Sequence, residues 1–174
     1  MKIIINESQL RQIIESEKKD RLYPLPANDF VENWEDFINT YKRKNKYDGF
    51  ELDGDLNIYD LDVKDIERIL NEVVIVTGNL DLFNITRIKS LGRLEKVGGK
   101  LDLFKTSIKS LKNLVSVGGS LDLTASSIED LDKLKSVGGS LNLFNTPLGK
   151  KLKESGMSED EIKNKFGVNG NLFL

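Results

Sequence analysis

The apolar positions of this chain follow two rhythms that alternate and then recur. In Leu101-Asp102-Leu103-Phe104 every second residue is leucine, the mark of a strand with one buried side. Ile108 follows, then Leu111 and Leu114 at a spacing of three, then Val117. That stretch predicts a turn of α- or 3₁₀-helix on the opposite wall. Gly118-Gly119 predicts a return bend, where glycine serves both positive φ and close backbone approach. The phrase Val97-Gly98-Gly99-Lys100-Leu101-Asp102-Leu103 returns as Val117 to Leu123 and again as Val137 to Leu143, about every 20 residues.

A fixed period this short means a solenoid, because one unit cannot bury its own apolar face and needs neighbours. The columns run through the array. Ile88, Ile108, Ile128 and Leu148 form one, and Leu91, Leu111 and Leu131 another. Leu94, Leu114 and Leu134 form a third, and Val97, Val117 and Val137 a fourth. Stacking them predicts one continuous core and a parallel sheet of short strands, each buried Leu or Ile contributing ~1.5–3 kcal/mol. Thr86, Thr106, Ser126 and Thr146 fall at equivalent turn positions, where a hydroxyl ladder can satisfy buried backbone groups.

Leu101-x-Leu103-x-x-Thr106-x-Ile108 resembles the leucine-rich repeat core L-x-L-x-x-N-x-L, with Thr or Ser where that family usually carries Asn. The Val-Gly-Gly-x-Leu-Asp-Leu phrase is similar to the short variant common in bacterial and bacteriophage proteins. The resemblance covers roughly residues 78–148 and 168–174. It implies an α/β fold: a leucine-rich-repeat-like solenoid with a short-stranded parallel sheet and a helical N-terminal cap. The units are shorter than in most relatives, so the convex side is expected to be thin, and the Asn ladder is missing. The opening Met1-Lys2-Ile3-Ile4-Ile5-Asn6-Glu7-Ser8-Gln9-Leu10 resembles the start of many uncharacterised tailed-phage proteins.

Three regions are expected: a helical cap over 1–50, the solenoid over 51–148, and a helical insertion with a terminal repeat strand over 149–174. In the first, Lys2 to Ile5 is β-prone, and Asn6 caps a helix with Gln9 as its capping-box partner and Leu10, Ile13 and Ile14 on one side. Tyr23-Pro24-Leu25-Pro26 reads as an extended link. Asn28 or Asp29 caps a second helix with Phe30, Val31, Trp34, Phe37, Ile38 and Tyr41 on a broad face. That face either shields the open end of the solenoid or docks another protein. The basic cluster Lys42-Arg43-Lys44-Asn45-Lys46 reads as a solvated helix end or a phosphate or nucleic-acid contact. Gly54 to Ile58 is a degenerate repeat strand, Asp62 caps a helix carrying Ile66, Ile69 and Leu70, and Val73 to Val76 is strand-like. Near the end Gly149-Lys150-Lys151 breaks the repeat, Ser158 and Glu161 form a capping box with Ile162 and Phe166 facing one way, and Val168 to Leu174 replays the strand phrase.

Lys and Arg number 26 against 28 Asp and Glu, a formal charge of -2, which argues against a basic nucleic-acid surface. The chain contains neither cysteine nor histidine. Disulfides, thiol catalysis, Cys/His zinc sites and a Ser-His-Asp triad are thereby excluded. No P-loop or G-x-G-x-x-G loop is present, and no cofactor is expected. The opening apolar run is too short for a signal-peptide core, and no stretch approaches the ~20 apolar residues of a membrane span. The expected location is cytoplasmic, in a host cell if the chain is phage-encoded, or on a virion.

The resemblance places the residues between and after the two strand leucines on a concave face. One column is Asp81, Asp102, Asp122, Asn142 and Phe173; the next is Phe83, Phe104, Thr124 and Phe144. Flanking columns are Asn79, Lys100, Ser120, Ser140 and Asn171, then Asn84, Lys105, Ala125 and Asn145. Carboxylates stacked at strand spacing repel by ~1 kcal/mol in water. A cation, a basic partner, or Lys100 and Lys105 would relieve them; otherwise the row is a solubilising face. No loop of oxygen ligands like an EF-hand accompanies them, so no metal is expected. A row of exposed phenylalanines marks a binding surface, unless the head or the 149–167 segment folds over it. Leu172, Phe173 and Leu174 are expected at an oligomer or assembly contact, unless the insertion helix covers that end. The expected function is a non-enzymatic protein-binding or assembly module acting on another protein or a second copy. The alternative is a structural virion component. A carboxylate-dependent enzyme would need a deep cleft that a shallow sheet does not supply.

Overall fold

A computed structural model describes residues 22–32, 34, 35, 38, 48–58 and 60–174. The expected strand at Lys2 to Ile5, the Asn6-capped helix with Leu10, Ile13 and Ile14, the positions Phe37 and Tyr41, and the Lys42 to Lys46 cluster all lie outside the described residues.

The first elements among the described residues are β1 (Leu22–Pro26), α1 (Ala27–Glu32), β2 (Gly49–Asp53), β3 (Leu56–Asn57), α2 (Val63–Leu70) and β4 (Val73–Val76). The regular coils supply β5 (Leu80–Asp81), β6 (Lys96–Val97), β7 (Leu101–Asp102), β8 (Ser116–Val117), β9 (Leu121–Asp122), β10 (Ser136–Val137) and β11 (Leu141–Asn142). The last coil carries α3 (Pro147–Glu154), α4 (Glu159–Phe166) and β12 (Leu172–Phe173).

These strands build a parallel β-solenoid with two six-stranded sheets, ordered β1-β2-β4-β6-β8-β10 and β3-β5-β7-β9-β11-β12. Every pairing between neighbouring strands is parallel. The sequence pattern led to one sheet; the valine column makes the second. Val97, Val117 and Val137 sit in register on strands whose other residue points outward. Each coil therefore runs from a first-sheet strand, round a glycine corner, along a second-sheet strand, round an aspartate corner and back. Leu101, Leu121 and Leu141 stack directly. A slip of one residue would turn each leucine outward, so core burial holds the register. The leucine, isoleucine and valine columns are all buried in one cluster that runs the length of the array.

The wall expected to be helical is a turn in the regular coils. Leu94, Leu114 and Leu134 each donate an amide to Leu91, Leu111 and Leu131, at 3.1, 3.1 and 3.0 Å. The bond is helix-like, but it is not continued. Gly92, Lys112 and Asp132 inside these turns have φ of 59°, 49° and 47°, and a left-handed residue stops a right-handed helix. Between the repeat strands of the described residues, helices take the place of this turn in the coil before β4, as α2, and in the last coil, as α3 and α4.

The paired glycines are there for space. A Cβ on Gly98, Gly118 or Gly138 would lie 2.0, 2.1 or 2.0 Å from the carbonyl oxygen of Thr77, Gly98 or Gly118 in the preceding coil. None of the three has positive φ; the left-handed positions fall instead at Asn84, Lys105, Ala125 and Asn145, at 59°, 54°, 55° and 57°. The hydroxyl ladder is partly as expected. Thr106 and Thr146 are buried and donate to the Leu103 and Leu143 carbonyls at 2.9 and 2.7 Å. Ser126 is buried too, but its Oγ has no partner among the described residues. Thr86 is exposed and out of line. Leu80 to Leu101 is 21 residues where Leu101 to Leu121 is 20, so Ile85 holds the equivalent place. Its amide bonds Leu82 as that of Thr106 bonds Leu103, both at 3.2 Å.

The two ends are built differently. Tyr23–Pro26, expected as an extended link, lies in strand β1, which among the described residues pairs with β2. Helix α1 starts at Ala27, so neither Asn28 nor Asp29 caps it. Phe30, Trp34 and Ile38 join the core. The Phe30 ring lies 5.0 Å from that of Phe50, and the Arg68 guanidinium stands 4.5 Å over Trp34 and 3.4 Å from Glu35. Phe30, Trp34 and Ile38 thus take the end-shielding arrangement, Val31 is half-buried against the core, and Phe37 and Tyr41 of the same face lie outside the described residues. Asp62 precedes α2 without a side-chain capping bond, while Ile66, Ile69 and Leu70 are buried as expected.

In the last coil Thr146 caps α3 by accepting the Gly149 amide at 2.9 Å, with Pro147 at the first position. Gly149, expected to break the pattern, lies within that helix, where a Cβ would be 2.3 Å from the Leu143 carbonyl oxygen. Ser158 and Glu161 form the expected capping box of α4, and Ile162 is buried. Among the described residues no helix is long and apolar enough to cross a membrane.

Candidate interaction face

The outward positions of the second sheet stack as expected: Asp81, Asp102, Asp122, Asn142 and Phe173 occupy successive registered places. Their main contacts are local. Asp81 Oδ1 accepts the amide of Phe83 at 2.8 Å, Asp102 Oδ1 that of Phe104 at 3.0 Å, and Asn142 Oδ1 that of Phe144 at 3.1 Å. Asp122 Oδ1 accepts from both the amide and the hydroxyl of Thr124, at 3.0 and 2.6 Å. Each is an Asx turn, in which a short acidic or amide side chain closes the bend two residues on. The row is thus the means by which the coils of β5, β7, β9 and β11 leave their strands.

Crowding of the carboxylates is relieved by one of the two lysines expected to do so. Lys100 Nζ lies 2.8 Å from Asp102 Oδ2. That hydrogen bond holds the ammonium above its ordinary pKa against a smaller desolvation effect, helped by the charges of Asp102, Asp122 and Asp81. Lys105 goes elsewhere: its ammonium stands 5.0 Å over the Phe104 ring. No group of three or more metal-ligating side chains gathers among the described residues.

The flanking column Asn79, Ser120 and Ser140 is structural. Asn79 Oδ1 accepts the Lys100 amide at 2.6 Å, Ser120 Oγ the Ser140 amide at 3.1 Å, and Ser140 Oγ the Asn171 amide at 3.1 Å. These bonds tie successive coils together, with a gap at Lys100, whose side chain turns to Asp102 instead.

The aromatic row is continuous in the backbone. Asn84 donates to the Phe104 carbonyl at 2.8 Å, Lys105 to Thr124 at 3.0 Å and Ala125 to Phe144 at 2.9 Å. Phe83 and Phe104 stack with centroids 4.9 Å apart and planes 6° from parallel, the spacing of adjacent strands. Phe83 is 52% exposed and Phe144 58%, so neither the described head nor the helices of the last coil fold over them. Phe104 is half-buried. At the far end Phe173 is 47% exposed, while Leu172 and Leu174 are half-buried against the core. Phe144, Pro147 and Leu174, with Lys150 and Lys153, line a recess of about 510 Å³.

A second recess, of about 480 Å³, was not expected. It runs along the outside of the first sheet past Lys96, Ser116, Ser136 and the glycines 98, 118 and 138. Its signal in the sequence is the coincidence of two small-residue columns, Ser116 and Ser136 beside Gly98, Gly118 and Gly138.

The fold and these faces define an α/β protein of the parallel β-solenoid class, with short helices at its two ends. No protein-family model, no curated protein and no solved structure matches the chain.

Proposed function

We propose that this chain is a non-enzymatic binding or assembly module. Its working surface is the row Phe83, Phe104 and Phe144, with Asp81, Asp102 and Asp122 alongside and Leu172, Phe173 and Leu174 at its end. Its partner is another protein or a second copy of itself. The observation that carries this reading is the exposure of Phe83, Phe144 and Phe173, the large apolar side chains left in solvent among the described residues, while the leucine columns are buried. Large aromatics in a row, bordered by charged and amide groups, suit protein contact. A non-enzymatic role is supported by the lack of histidine and cysteine and by the use of the stacked carboxylates in turn closure.

We read the coils as short leucine-rich repeats of the bacterial or bacteriophage type, on the strength of the Leu-x-Leu-x-x-Thr-x-Ile and Val-Gly-Gly-x-Leu-Asp-Leu phrases. Such a module would act in the cytoplasm, in a host cell for a phage-encoded chain. A structural virion component is the second reading. Strand β12 favours it, since among the described residues it pairs on one side only, with β11, and carries exposed Phe173.

The test is affinity capture from native lysate with the wild-type chain beside a Phe83→Ser/Phe104→Ser/Phe144→Ser variant, each checked for solution mass and thermal unfolding. A partner retained by wild type and lost by an equally folded variant locates the surface. Identical captures discard it. A wild-type mass that falls to the monomer when Phe173 alone becomes Ser would select self-assembly.

A further inference from the structure

Gly170 closes a column of glycines in which each backbone lies against the one before. Gly99 donates its amide to Gly78, Gly119 to Gly99, Gly139 to Gly119 and Gly170 to Gly139, at 2.8, 2.9, 2.8 and 2.9 Å. A Cβ at 170 would lie 2.6 Å from the Gly139 carbonyl carbon, so stacking demands glycine there. The neighbouring column is different. Gly98, Gly118 and Gly138 are glycine, and Asn169 continues their ladder: its amide donates to Val137 at 3.0 Å as that of Gly138 donates to Val117 at 2.8 Å. Unlike them it carries a side chain, which is exposed. The last coil therefore contains the one Asn-Gly pair of the sequence.

Asn-Gly is the dipeptide most prone to spontaneous deamidation, because glycine has no Cβ to shield its nitrogen. The Gly170 nitrogen, having given its proton to solvent base, attacks Asn169 Cγ. The N–Cγ bond forms, the Cγ–Nδ2 bond breaks, and the departing NH2 takes a proton from solvent and leaves as ammonia. Water then opens the cyclic imide at either carbonyl, giving aspartate or isoaspartate, with no change of oxidation state. In the folded chain that nitrogen is committed: its N–H points to the Gly139 oxygen at 2.9 Å.

We propose that Asn169 is a deamidation site gated by the last coil, reacting when the Gly170–Gly139 bond opens and protected while it is closed. Isoaspartate would lengthen the backbone by one carbon just before β12. The strand is only two residues long, registered as Leu141 to Leu172 and Asn142 to Phe173. The added atom displaces the acceptors that Asn171 and Phe173 offer to Leu141 and Leu143 at 2.9 and 2.7 Å. It also withdraws Leu174 from the recess beside Phe144. The reaction thus converts an ordered terminal coil into a released one. This inference rests on the ladder geometry and stands apart from the binding role proposed above.

The test incubates the full chain at mildly alkaline pH, natively and in urea. The peptide containing Asn169 is followed by mass spectrometry, with isoaspartate resolved by chromatography. The native chain should deamidate at least about tenfold more slowly than the chain in urea. A Leu172→Ala/Leu174→Ala variant, which loosens β12, should close most of that gap. Amide exchange at Gly170, measured on both native samples, should rise in parallel and shows whether the variant opens locally or throughout. An Asn169→Gln chain should keep the solution behaviour of fresh wild type over the same incubation. Equal rates in native buffer and urea would overturn the proposal. So would an unchanged rate in the variant despite faster exchange at Gly170.

Discussion

Each coil turns two corners, and the two are held by opposite means. At the glycine corner successive backbones touch because side-chain atoms are missing: Gly118 leaves room for the Gly98 carbonyl, and Gly138 for that of Gly118. At the aspartate corner the chain is closed by a side chain, Asp102 on the Phe104 amide and Asp122 on that of Thr124. The first device works between coils, so a fault in one storey displaces its neighbours. The second works within a coil, so the residues around it can change without unstacking anything. Positions 83, 104, 124 and 144 accordingly hold Phe, Phe, Thr and Phe, and the left-handed positions after them hold Asn, Lys, Ala and Asn. The variable corner is the one that can carry a recognition surface.

This contrast can be broken by substitution. Gly118→Ala should be the most damaging, at about 4 kcal/mol or more, because its methyl meets backbone that cannot rotate away. Urea denaturation would measure it, and a loss below that of an aspartate-corner variant would refute the contrast. Asp122→Ala should cost about 1 kcal/mol, the worth of a turn-closing hydrogen bond, with the rest of the stack intact. Ala125→Gly should go the other way and stabilise by about 0.5 kcal/mol, since relief of left-handed strain at φ 55° outweighs the added freedom of the unfolded chain. The smallest effect is on pH. The Ser158 amide, and then its hydroxyl, hold the Glu161 carboxyl below its ordinary 4.5. A carboxyl lowered by folding contributes above its unfolded value and loses that contribution as pH falls through the lowered one. Helix α4 should therefore fray on acidification below 4.5, and Glu161→Gln should flatten that dependence in the Phe166 resonances.

The core was legible because burial has a period. Leucines at alternate positions, repeated at one spacing, leave a single way to stack. The second sheet was not, since a spacing of three from Leu111 to Leu114 suits a helical turn and a tight bend equally. What decides is a left-handed residue between them, and Lys112 and Asp132 give no hint of it; Gly92 in the same column was the one clue. The glycines were readable as special but not as to why, because sequence does not separate a need for positive φ from a need for room. The misplaced Thr86 came from a single extra residue, visible in the wider interval between Leu80 and Leu101. At the candidate face the exposure of Phe83 and Phe144 followed from strand alternation. The turn-closing task of the aspartates is carried by the Asp-x-Phe and Asp-x-Thr spacing, a signal of geometry rather than of charge.

The one-to-one register of Leu101, Leu121 and Leu141 has a consequence for how such a molecule can change in length. Excising Leu101 through Ser120 would join Lys100 to Leu121 and recreate the same words at the seam, with Gly139 now following Gly99. Duplicating that stretch would add a floor with equal ease. Height is thus a quantity that unequal recombination can adjust in whole steps, shifting the distance between the first and last phenylalanines while every surviving floor keeps its own design.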